Sequence, residues 1–564
     1  MSEKNPQEPE MIEKDESMTV VDISEKLETY TNETTINDSI NNNDGGPVVQ
    51  MSKTKFVLVF VGLTFGLFLA ALDMTIVATA LPAIVAEFNA LDDISWVGTA
   101  YLLTGTAVQP TYGKISDIFG RKSTFLGAII TFELGSLLCG LSTNMTMLII
   151  SRAIAGIGGG GIFSLVYIII TEIVPIQDRG KYQGIVGGCF GFASVVGPLL
   201  GGIFTDHVTW RWTFYINLPL GAITVICVTL VLHLPHPKGS FRQKIKRIDW
   251  LGTVVVVVAT VSVLLPLSWG GNKYGWTSPI VIVLFCVGGL GFVIFAYIEG
   301  WLANEPIAPG HLFLNRTVAF AYAVTLWHGM LFFSLTYFVP LYYQVVKGHT
   351  ATQSGFDLLP FIFGVSTLSI STGQLLSRTD FFSYNVICLV GSVLMTIGGG
   401  LLSTLTETSN RGEQIGYLLI AGMGVGSIMQ TILLAVQNSV ERKDVASATS
   451  LLTFFRTMGA VFGVAILGAI LNNELNKNLV SLIPPGISPE VVIHSGSLLN
   501  ALPDSQKKLI VHKFVQSLNE TFRSVIPMGV LCFVCVLGVK WLKPKINKSE
   551  ETLDLQEESK DVEK

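Results

Sequence analysis

The residues best placed to do chemistry are charged side chains inside long apolar stretches: Asp73, Glu133 and Arg152. Charges in a membrane interior are costly, and where they occur they usually have a function. Burial and a neighbouring guanidinium act in opposite directions on a carboxyl proton, so such a group can be set to bind and release one. We predict a proton-coupling site of Asp73, Arg152 and Glu133. The alternative for Asp73 and Arg152 is a fixed structural ion pair.

The apolar stretches themselves have the length of membrane-spanning helices. Half of the 564 residues are hydrophobic, and only 14% are charged, against about 25% in soluble domains. Runs of 18 or more apolar residues are typical of transmembrane helices. We predict an all-α integral membrane protein with fourteen spans in a lipid bilayer. They cover residues 56–81, 94–112, 123–142, 146–170, 182–204, 213–232, 250–268, 279–298, 318–343, 355–376, 384–404, 414–436, 446–471 and 524–542.

Charge is distributed unevenly along the chain. Residues 1–50 carry a net charge of −9 and residues 546–564 a net charge of −4, whereas the body between them is basic. Acidic polar tails bury too little apolar surface to fold alone. Basic residues are concentrated in one set of alternating loops, which the positive-inside rule assigns to the cytoplasm together with both termini. At a rise of ~1.5 Å per residue, Asp73 and Arg152 then lie about 12 Å and about 9 Å from the outer ends of their helices.

The segment GKISDIFGRK at 113–122 predicts a cytoplasmic gate between the second and third helices. Gly113 and Gly120 allow close approach and a sharp turn. Asp117 precedes Arg121 by four residues, the favourable order for a helical ion pair. The gate residues are predicted to be Gly113, Asp117, Gly120, Arg121, Lys122 and Arg378. The alternative is a generic basic loop that only anchors the topology.

A degenerate copy of this segment, GQLLSRTDFF at 373–382, supplies Arg378 and indicates an internal repeat. Parallel six-helix repeats are a common plan of secondary transporters. The predicted domains are a disordered acidic tail (1–54), a six-helix half (55–232), a linker with two extra helices (233–316), a second six-helix half with an outer loop at 472–522 (317–545), and an acidic tail (546–564).

The ninth predicted helix is rich in aromatic residues, which can bind flat amphiphiles and place rings against cations. An interfacial belt is the alternative for the aromatics near its end. Arg456 is the only charge in the thirteenth helix and either faces a cavity or pairs with a cytoplasmic acid. The predicted substrate cavity contains Trp327, Phe333, Tyr337, Gln344, Gln430 and Arg456.

Glycine-rich segments occur in two spans. The run GIGGGG at 156–161 lacks the GK[ST] ending that binds a nucleotide phosphate, so ATP-driven transport is not expected. In the fifth helix, Gly197, Gly201 and Gly202 permit close helix contact, and Pro198 invites a bend. Ordinary small-residue packing is the alternative.

Several motifs together make the chain resemble the major facilitator superfamily, specifically its 14-spanner drug:proton antiporters, over residues 55–545. These motifs are LDMTIVATALP (72–82), GKISDIFGRK (113–122), SRAIAGIGGGG (151–161), GPLLGG (197–202) and WRWTFYINLPLG (210–221). The resemblance implies that the gate network helps to hold an outward-open state. It also implies that Gly197, Pro198, Gly201 and Gly202 form the antiporter motif of exporters.

Three functions are compatible with these features. The first is proton-coupled export of small amphiphilic toxic compounds across the plasma membrane, and the second is proton-driven transport of basic amino acids into the vacuole. The third is a non-transporting receptor built on the same fold, which the intact gate motif disfavours. The aromatic ninth helix favours the first. We expect a monomer that uses a small-molecule substrate and protons, with no cofactor, metal, nucleic-acid partner or enzymatic activity.

Overall fold

The computed structural model describes residues 51–88, 90, 93–235, 237–270, 274–378, 382–479 and 503–542. Within these ranges the side chains of residues 78, 82, 94, 95, 351, 378, 504 and 505 are not described. The predicted tails therefore lie almost entirely outside the described residues, and so does the Arg378 side chain.

The described part of the chain is all-α, as predicted. Its helices are α1 (Lys53–Phe88), α2 (Ile94–Phe119), α3 (Arg121–Gly140), α4 (Met145–Ile173), α5 (Arg179–His207), α6 (Trp212–Tyr215), α7 (Asn217–Val231), α8 (Phe241–Lys246), α9 (Trp250–Trp269), α10 (Pro279–Tyr297), α11 (Gly310–Leu314), α12 (Arg316–Val346), α13 (Ala351–Asp357), α14 (Leu359–Arg378), α15 (Tyr384–Leu402), α16 (Arg411–Gln437), α17 (Val445–Leu479), α18 (Asp504–Arg523) and α19 (Val525–Gly538).

Among the described residues, thirteen helical segments are long and apolar enough to cross a membrane. The remaining predicted span is α2, which has 26 residues but is less apolar because it contains several threonines and glycines as well as Pro110. With α2 included, the described residues contain the fourteen predicted spans.

Two predicted boundaries need correction. The segment at 113–122 was expected to be a loop, but α2 continues to Phe119 and only Gly120, with φ of 98°, breaks the helix before α3. The polar residues of this segment lower its hydropathy without stopping the helix, whereas the positive φ requires glycine.

The predicted outer loop at 472–522 is partly helical. Helix α17 runs to Leu479, and α18 begins at Asp504. Leu471, Leu475 and Leu479 are buried at a spacing of four residues, which gives this extension an apolar face. Asn478 then donates from Nδ2 to Ser517 Oγ of α18 at 3.0 Å. A hydropathy criterion ends the span too early because the other face of the extension is polar.

Glycine contacts repeat in the two halves of the molecule. A Cβ on Gly135 of α3 would collide with the backbone of Ala155 of α4, and a Cβ on Gly398 of α15 would collide in the same way with Ala421 of α16. Helices α4 and α16 also present matching glycines to their neighbours, always 266 residues apart: Gly156 and Gly422, Gly158 and Gly424, Gly160 and Gly426. These contacts match α3–α4 with α15–α16 and support the predicted internal repeat.

Helices α2 and α14 form a third pair of equivalent helices in the two halves. Gly160 packs against Gly105 of α2, and Gly426 packs against Val365 of α14. The interval of 260 residues between Gly105 and Val365 also separates Gly113 from Gly373, the first residues of the two motif copies. The weak sequence repeat therefore has the register of the structural one.

The extra helices α9 and α10 lie beside the contact between the two halves. Ser268 Oγ of α9 is 3.3 Å from Thr99 Oγ1 of α2, and the ring of Trp269 packs edge-on against that of Trp96. One apolar cluster joins α2, α9 and α17 through Leu103, Leu264, Leu267, Phe454 and Met458. Helix α9 therefore touches both halves, whereas α10 is largely exposed on the outside of the bundle.

Candidate functional site

Asp73 of α1 and Arg152 of α4 form an ion pair inside the amino-terminal half. Arg152 Nη1 lies 2.5 Å from Asp73 Oδ2, and the two side chains are 2% and 0% exposed, respectively. Asn217 of α7 donates from Nδ2 to Asp73 Oδ1 at 3.2 Å, and Arg152 Nε donates to the carbonyl of Val97 at 2.9 Å. The structure thus brings together the two residues that were predicted to lie at similar depth, and it ties them to four helices.

Aromatic rings enclose the guanidinium. Arg152 Cζ lies 4.4 Å from the ring centroid of Tyr101 and 5.8 Å from that of Phe214, which are cation–π distances. If a proton bound to Asp73, Arg152 would keep only these rings and one carbonyl as partners. Because an unpaired buried charge is costly, proton binding at Asp73 requires the surroundings of Arg152 to change.

Glu133 lies one helical turn from this pair. Asn217 Nδ2 also contacts Ser136 Oγ of α3 at 3.2 Å, and Glu133 precedes Ser136 by three residues on the same face. The Glu133 carboxylate packs against Gly221 of α7, and neither of its oxygens has a hydrogen-bond partner among the described residues. A buried carboxyl group without a donor is best accommodated in the protonated form.

A second polar cluster lies between the two halves. Arg456 of α17 donates to the carbonyl of Met429 at 3.2 Å, and the Tyr167 hydroxyl of α4 interacts with both Arg456 and Gln430. A Cβ on Gly187 of α5 would lie 2.7 Å from Gln430 Nε2. The cluster therefore combines α4 and α5 from one half with α16 and α17 from the other.

Phenylalanine rings lie one helical turn from members of this cluster, since Phe163 is four residues before Tyr167 and Phe190 three residues after Gly187. The Phe190 centroid of α5 is 6.0 Å from Phe332 and 6.2 Å from Phe333 of α12. Phe163 of α4 lies 6.0 Å from Phe190, and Phe361 of α14 lies 5.9 Å from Phe332. The rings thus extend the contact between the halves beside Tyr167 and Arg456.

Three predicted cavity residues lie elsewhere, whereas Phe333, Gln430 and Arg456 meet in this central region. Trp327 turns away to interact with Cys535 of α19. Gln344 donates to Ser354 Oγ at 2.9 Å near the far end of α12. Tyr337 lies one turn beyond Phe333 on the same face and is 60% exposed.

The opposite end of the bundle, which carries Gly120 and which we call the basic end, is closed by contacts between the halves. A Cβ on Gly113 of α2 would collide with the carbonyl of Ala446 of α17, and a Cβ on Gly180 of α5 would collide with the backbone of Gly373 of α14. Gln183 Nε2 also donates across the interface to Gln437 Oε1 at 3.1 Å. The predicted gate glycine Gly113 therefore lies in an inter-half contact.

Charged groups at the basic end form a network on the amino-terminal half. Arg121 Nη1 lies 2.6 Å from Asp117 Oδ1, the predicted i,i+4 pair, and Arg121 Nη2 lies 3.4 Å from Glu172 Oε1 of α4. Lys122 Nζ donates to the carbonyl of Thr229 of α7 at 2.8 Å. The network connects α2, α3, α4 and α7, so these helices are held together beside the inter-half contact.

The segments that flank the extra helices reach this network. Glu305, which follows α10, lies 3.1 Å from Lys114 of α2 and 2.6 Å from Arg247, which precedes α9. The hydrogen bond from Arg247 holds the pKa of Glu305 below its ordinary value, and Lys114 adds to that effect. The extra helix pair is therefore joined to the gate through one carboxylate.

Replacing Glu305 by glutamine should reduce the free energy of unfolding at neutral pH by at most about 1 kcal/mol, because the pairs are partly exposed. A lowered folded-state pKa contributes stability that is present above the unfolded-state value and is lost as the pH falls through the folded-state value. The difference in Tm between wild type and Glu305→Gln should therefore shrink in acid. Equal differences at neutral pH and at about pH 3 would contradict this. Glu441 pairs with the exposed Lys443. Glu441→Gln is therefore the control for the loss of a surface carboxylate.

The predicted antiporter motif lies at contacts of α5. Gly197 and Gly201 pack against α1, where a Cβ on either would collide with the hydroxyl of Thr75 or Thr79, respectively. Gly202 faces Thr352, with 3.6 Å to a built Cβ, and Pro198 lies 4.0 Å from a built Cβ of Gly355. Helix α5 continues through Pro198 to His207. The motif thus packs on one side against its own half and on the other against α13.

Sequence analysis missed several residues of these sites. Asn217 and Tyr101 contact the charge pair, Tyr167 and Phe190 join the central region, and Glu305 reaches the gate. Aromatic residues are common in spans, so Tyr101, Tyr167 and Phe190 carried no signal by type, and Glu305 lies outside the predicted spans. Asn217 alone had one, because an amide inside the predicted apolar span 213–232 needs a hydrogen-bond partner.

Comparison with known proteins agrees with this architecture. The chain matches the Major Facilitator Superfamily over residues 63–464. It is similar to the MFS-type efflux pump MFS1 of Arthroderma benhamiae, with 37% identity over 504 residues, which cover 88% of this chain and 93% of that protein. It is also similar to the efflux pump roqT of Penicillium rubens, with 35% identity over 492 residues, which cover 86% and 90% of the two chains.

The fold is also found in a solved structure. The human organic anion transporter MFSD10 matches with a TM-score of 0.57 over 86% of this chain and 100% of that chain, at 12% sequence identity. At this identity the likeness concerns the fold alone. The chain belongs to the major facilitator superfamily. It is a multi-pass membrane carrier of small molecules and not an enzyme, as the resemblance of its motifs predicted.

Proposed function

We propose that the protein is a proton-coupled exporter of small amphiphilic compounds that works by alternating access. The observation that carries this proposal is the buried Asp73–Arg152 pair, with the unpartnered Glu133 one turn away. Efflux-pump relatives at 35% and 37% identity support export. The proton coupling is inferred from the chemistry of the pair.

Asp73 is the proposed proton carrier. Its carboxylate is stabilised by Arg152 and Asn217 while the basic end is closed. Protonation would free Arg152 from its partner, and the cost of that unpaired charge would favour a different arrangement of α1, α2, α4 and α7. Glu133 lies nearer the basic end by about one helical pitch of 5.4 Å, so it can exchange protons on that side.

The contacts at Gly113 and Gly180 would hold the halves together at the basic end, beside the ionic network of the amino-terminal half. We assign this end and both termini to the cytoplasm on the basis of the Lys and Arg distribution, and we place the protein in the plasma membrane. The closed basic end fits an outward-facing arrangement. In the opposite arrangement the Gly113 and Gly180 contacts would separate.

Substrate-triggered proton flux tests this function. Purified protein in proteoliposomes loaded with a pH dye should show proton movement when a lipophilic cation or an aromatic amphiphile is added. Flux with lysine or arginine in place of those compounds would instead support basic amino-acid transport into the vacuole. If a compound is transported down its own gradient but its addition moves no protons, the carrier is not proton-coupled.

A further inference from the structure

Arg456 carries a positive charge in the middle of the molecule without a carboxylate partner among the described residues. It lies eleven residues into α17, about 16 Å from that end of the helix. Arg456 Nη2 donates to the carbonyl of Met429, and the guanidinium interacts with the Tyr167 hydroxyl. Arg456 Nε has no hydrogen-bond partner among the described residues. Its side chain is nevertheless only partly buried. By contrast, the buried Arg152 is paired with a carboxylate, that of Asp73.

Other polar groups with unused hydrogen-bonding capacity lie near Tyr167, whose hydroxyl interacts with both Arg456 and Gln430. Gln430 and Ser369 are both fully buried, and neither amide atom of Gln430 nor Ser369 Oγ meets hydrogen-bond geometry with a described residue. Both approach Gly187, where a built Cβ would lie 2.7 Å from Gln430 Nε2 and 3.0 Å from Ser369 Oγ. Buried polar groups are normally satisfied, so these donors, which are linked to the cation Arg456 through Tyr167, indicate a missing acceptor.

The apolar surroundings specify the rest of such a ligand. Phe190, Phe332 and Phe333 form a contiguous set of rings, with Phe332 and Phe333 at 4.9 Å in an edge-to-face arrangement. Rings in this arrangement can accept another aromatic ring by stacking or by edge contact. The rings come from α5 and α12, which belong to different halves, so a ligand bound here would touch both.

We propose that this central region binds organic anions: aromatic compounds whose carboxylate, sulfonate or phosphate oxygens accept hydrogen bonds from Arg456 and Gln430. The proposal rests on the proposed function as an exporter and names its substrate class. Arg456 supplies the charge, Gln430 and Ser369 supply neutral donors, and the phenylalanines bind the aromatic body. The same charge repels dibasic amino acids, which would need carboxylates in that place.

Equilibrium binding of two dyes tests this assignment. Fluorescein and rhodamine 6G share a xanthene ring system, but the first is an anion near pH 8 and the second a cation. Fluorescence polarisation with the purified full-length protein in lipid nanodiscs should show fluorescein binding by wild type. Arg456→Gln should weaken it by about tenfold or more, the usual effect of losing a charged hydrogen bond. Arg456→Lys should lose less, and rhodamine 6G should not bind more weakly to Arg456→Gln.

The controls separate this idea from the proposed function. Binding is measured without a proton gradient, so a failure of proton coupling leaves it unchanged. Phe333→Ala should weaken the binding of both dyes by similar factors, and Tm values should show that each variant is folded. The assignment is overturned if wild type does not bind fluorescein, or if Arg456→Gln and wild type bind it equally well.

Discussion

Asp73→Asn is expected to abolish accumulation of substrate against a gradient, at least about 100-fold below wild type, while transport down a gradient persists. The amide keeps the size of the side chain and can still contact Asn217, but it neither binds a proton nor carries the charge that Arg152 faces at 2.5 Å. Arg152 is then buried without a counter-charge, which should cost about 3–5 kcal/mol of unfolding free energy. Transport in proteoliposomes and Tm measure the two effects.

A second substitution separates coupling from stability. Asp73→Asn combined with Arg152→Gln removes both charges, so stability should partly return while proton-driven transport stays absent. Asp206→Asn, which changes an exposed carboxylate on α5, is the matched control and should behave like wild type. If Asp73→Asn still concentrates substrate, Asp73 is not the proton carrier, and Glu133→Gln becomes the variant to examine.

Gly180→Val is expected to slow transport by at least about tenfold by preventing closure of the basic end. The α-carbons of Gly180 and Gly373 leave no room for a side chain, because a Cβ on either would collide with the backbone of the other. Overpacking such a contact costs about 1–3 kcal/mol, and the cost falls only on the arrangement in which α5 and α14 touch. The variant should therefore shift the population away from the closed basic end.

Labelling measures that shift directly. A cysteine introduced at Gln183, which is buried in the same contact, should react faster with a water-soluble maleimide in the Gly180→Val background. Gly127→Val is the matched control, because a built Cβ on Gly127 of α3 meets no atom within 4 Å. Wild-type transport and wild-type labelling in Gly180→Val would show that the close approach of α5 and α14 plays no part in the cycle.

The span count was predictable because it depends on local properties of the sequence. Apolar runs identified the helices, and the comparison of GKISDIFGRK with GQLLSRTDFF gave the interval of 260 residues that the contacts of Gly105 and Val365 reproduce. Helix ends were less predictable. Polar residues such as those of 113–119 resemble a loop by hydropathy, yet they continue α2 because helical hydrogen bonding does not depend on polarity.

Within the candidate sites, the charge pair was the most predictable part. Asp73 and Arg152 were identified by their cost in an apolar setting, and helical rise placed them at one depth. The direction in which a side chain points depends on which neighbours surround its helix. Trp327 was therefore expected in the cavity but interacts with α19, while Tyr167 and Phe190 reach the centre without any distinguishing pattern around them.

The length of α17 has a mechanical consequence. With 35 residues it is about 52 Å long, well beyond the ~30 Å of a bilayer core. A hydrogen bond from Asn478 to Ser517 ties its far end to α18, so we expect α17 to move as a rigid rod. A tilt of about 10° at the level of Arg456 would displace Leu479, ~35 Å away, by roughly 6 Å. A pair of spin labels, one at that tip and one on the amino-terminal half, would report a small rocking motion as a large change in distance.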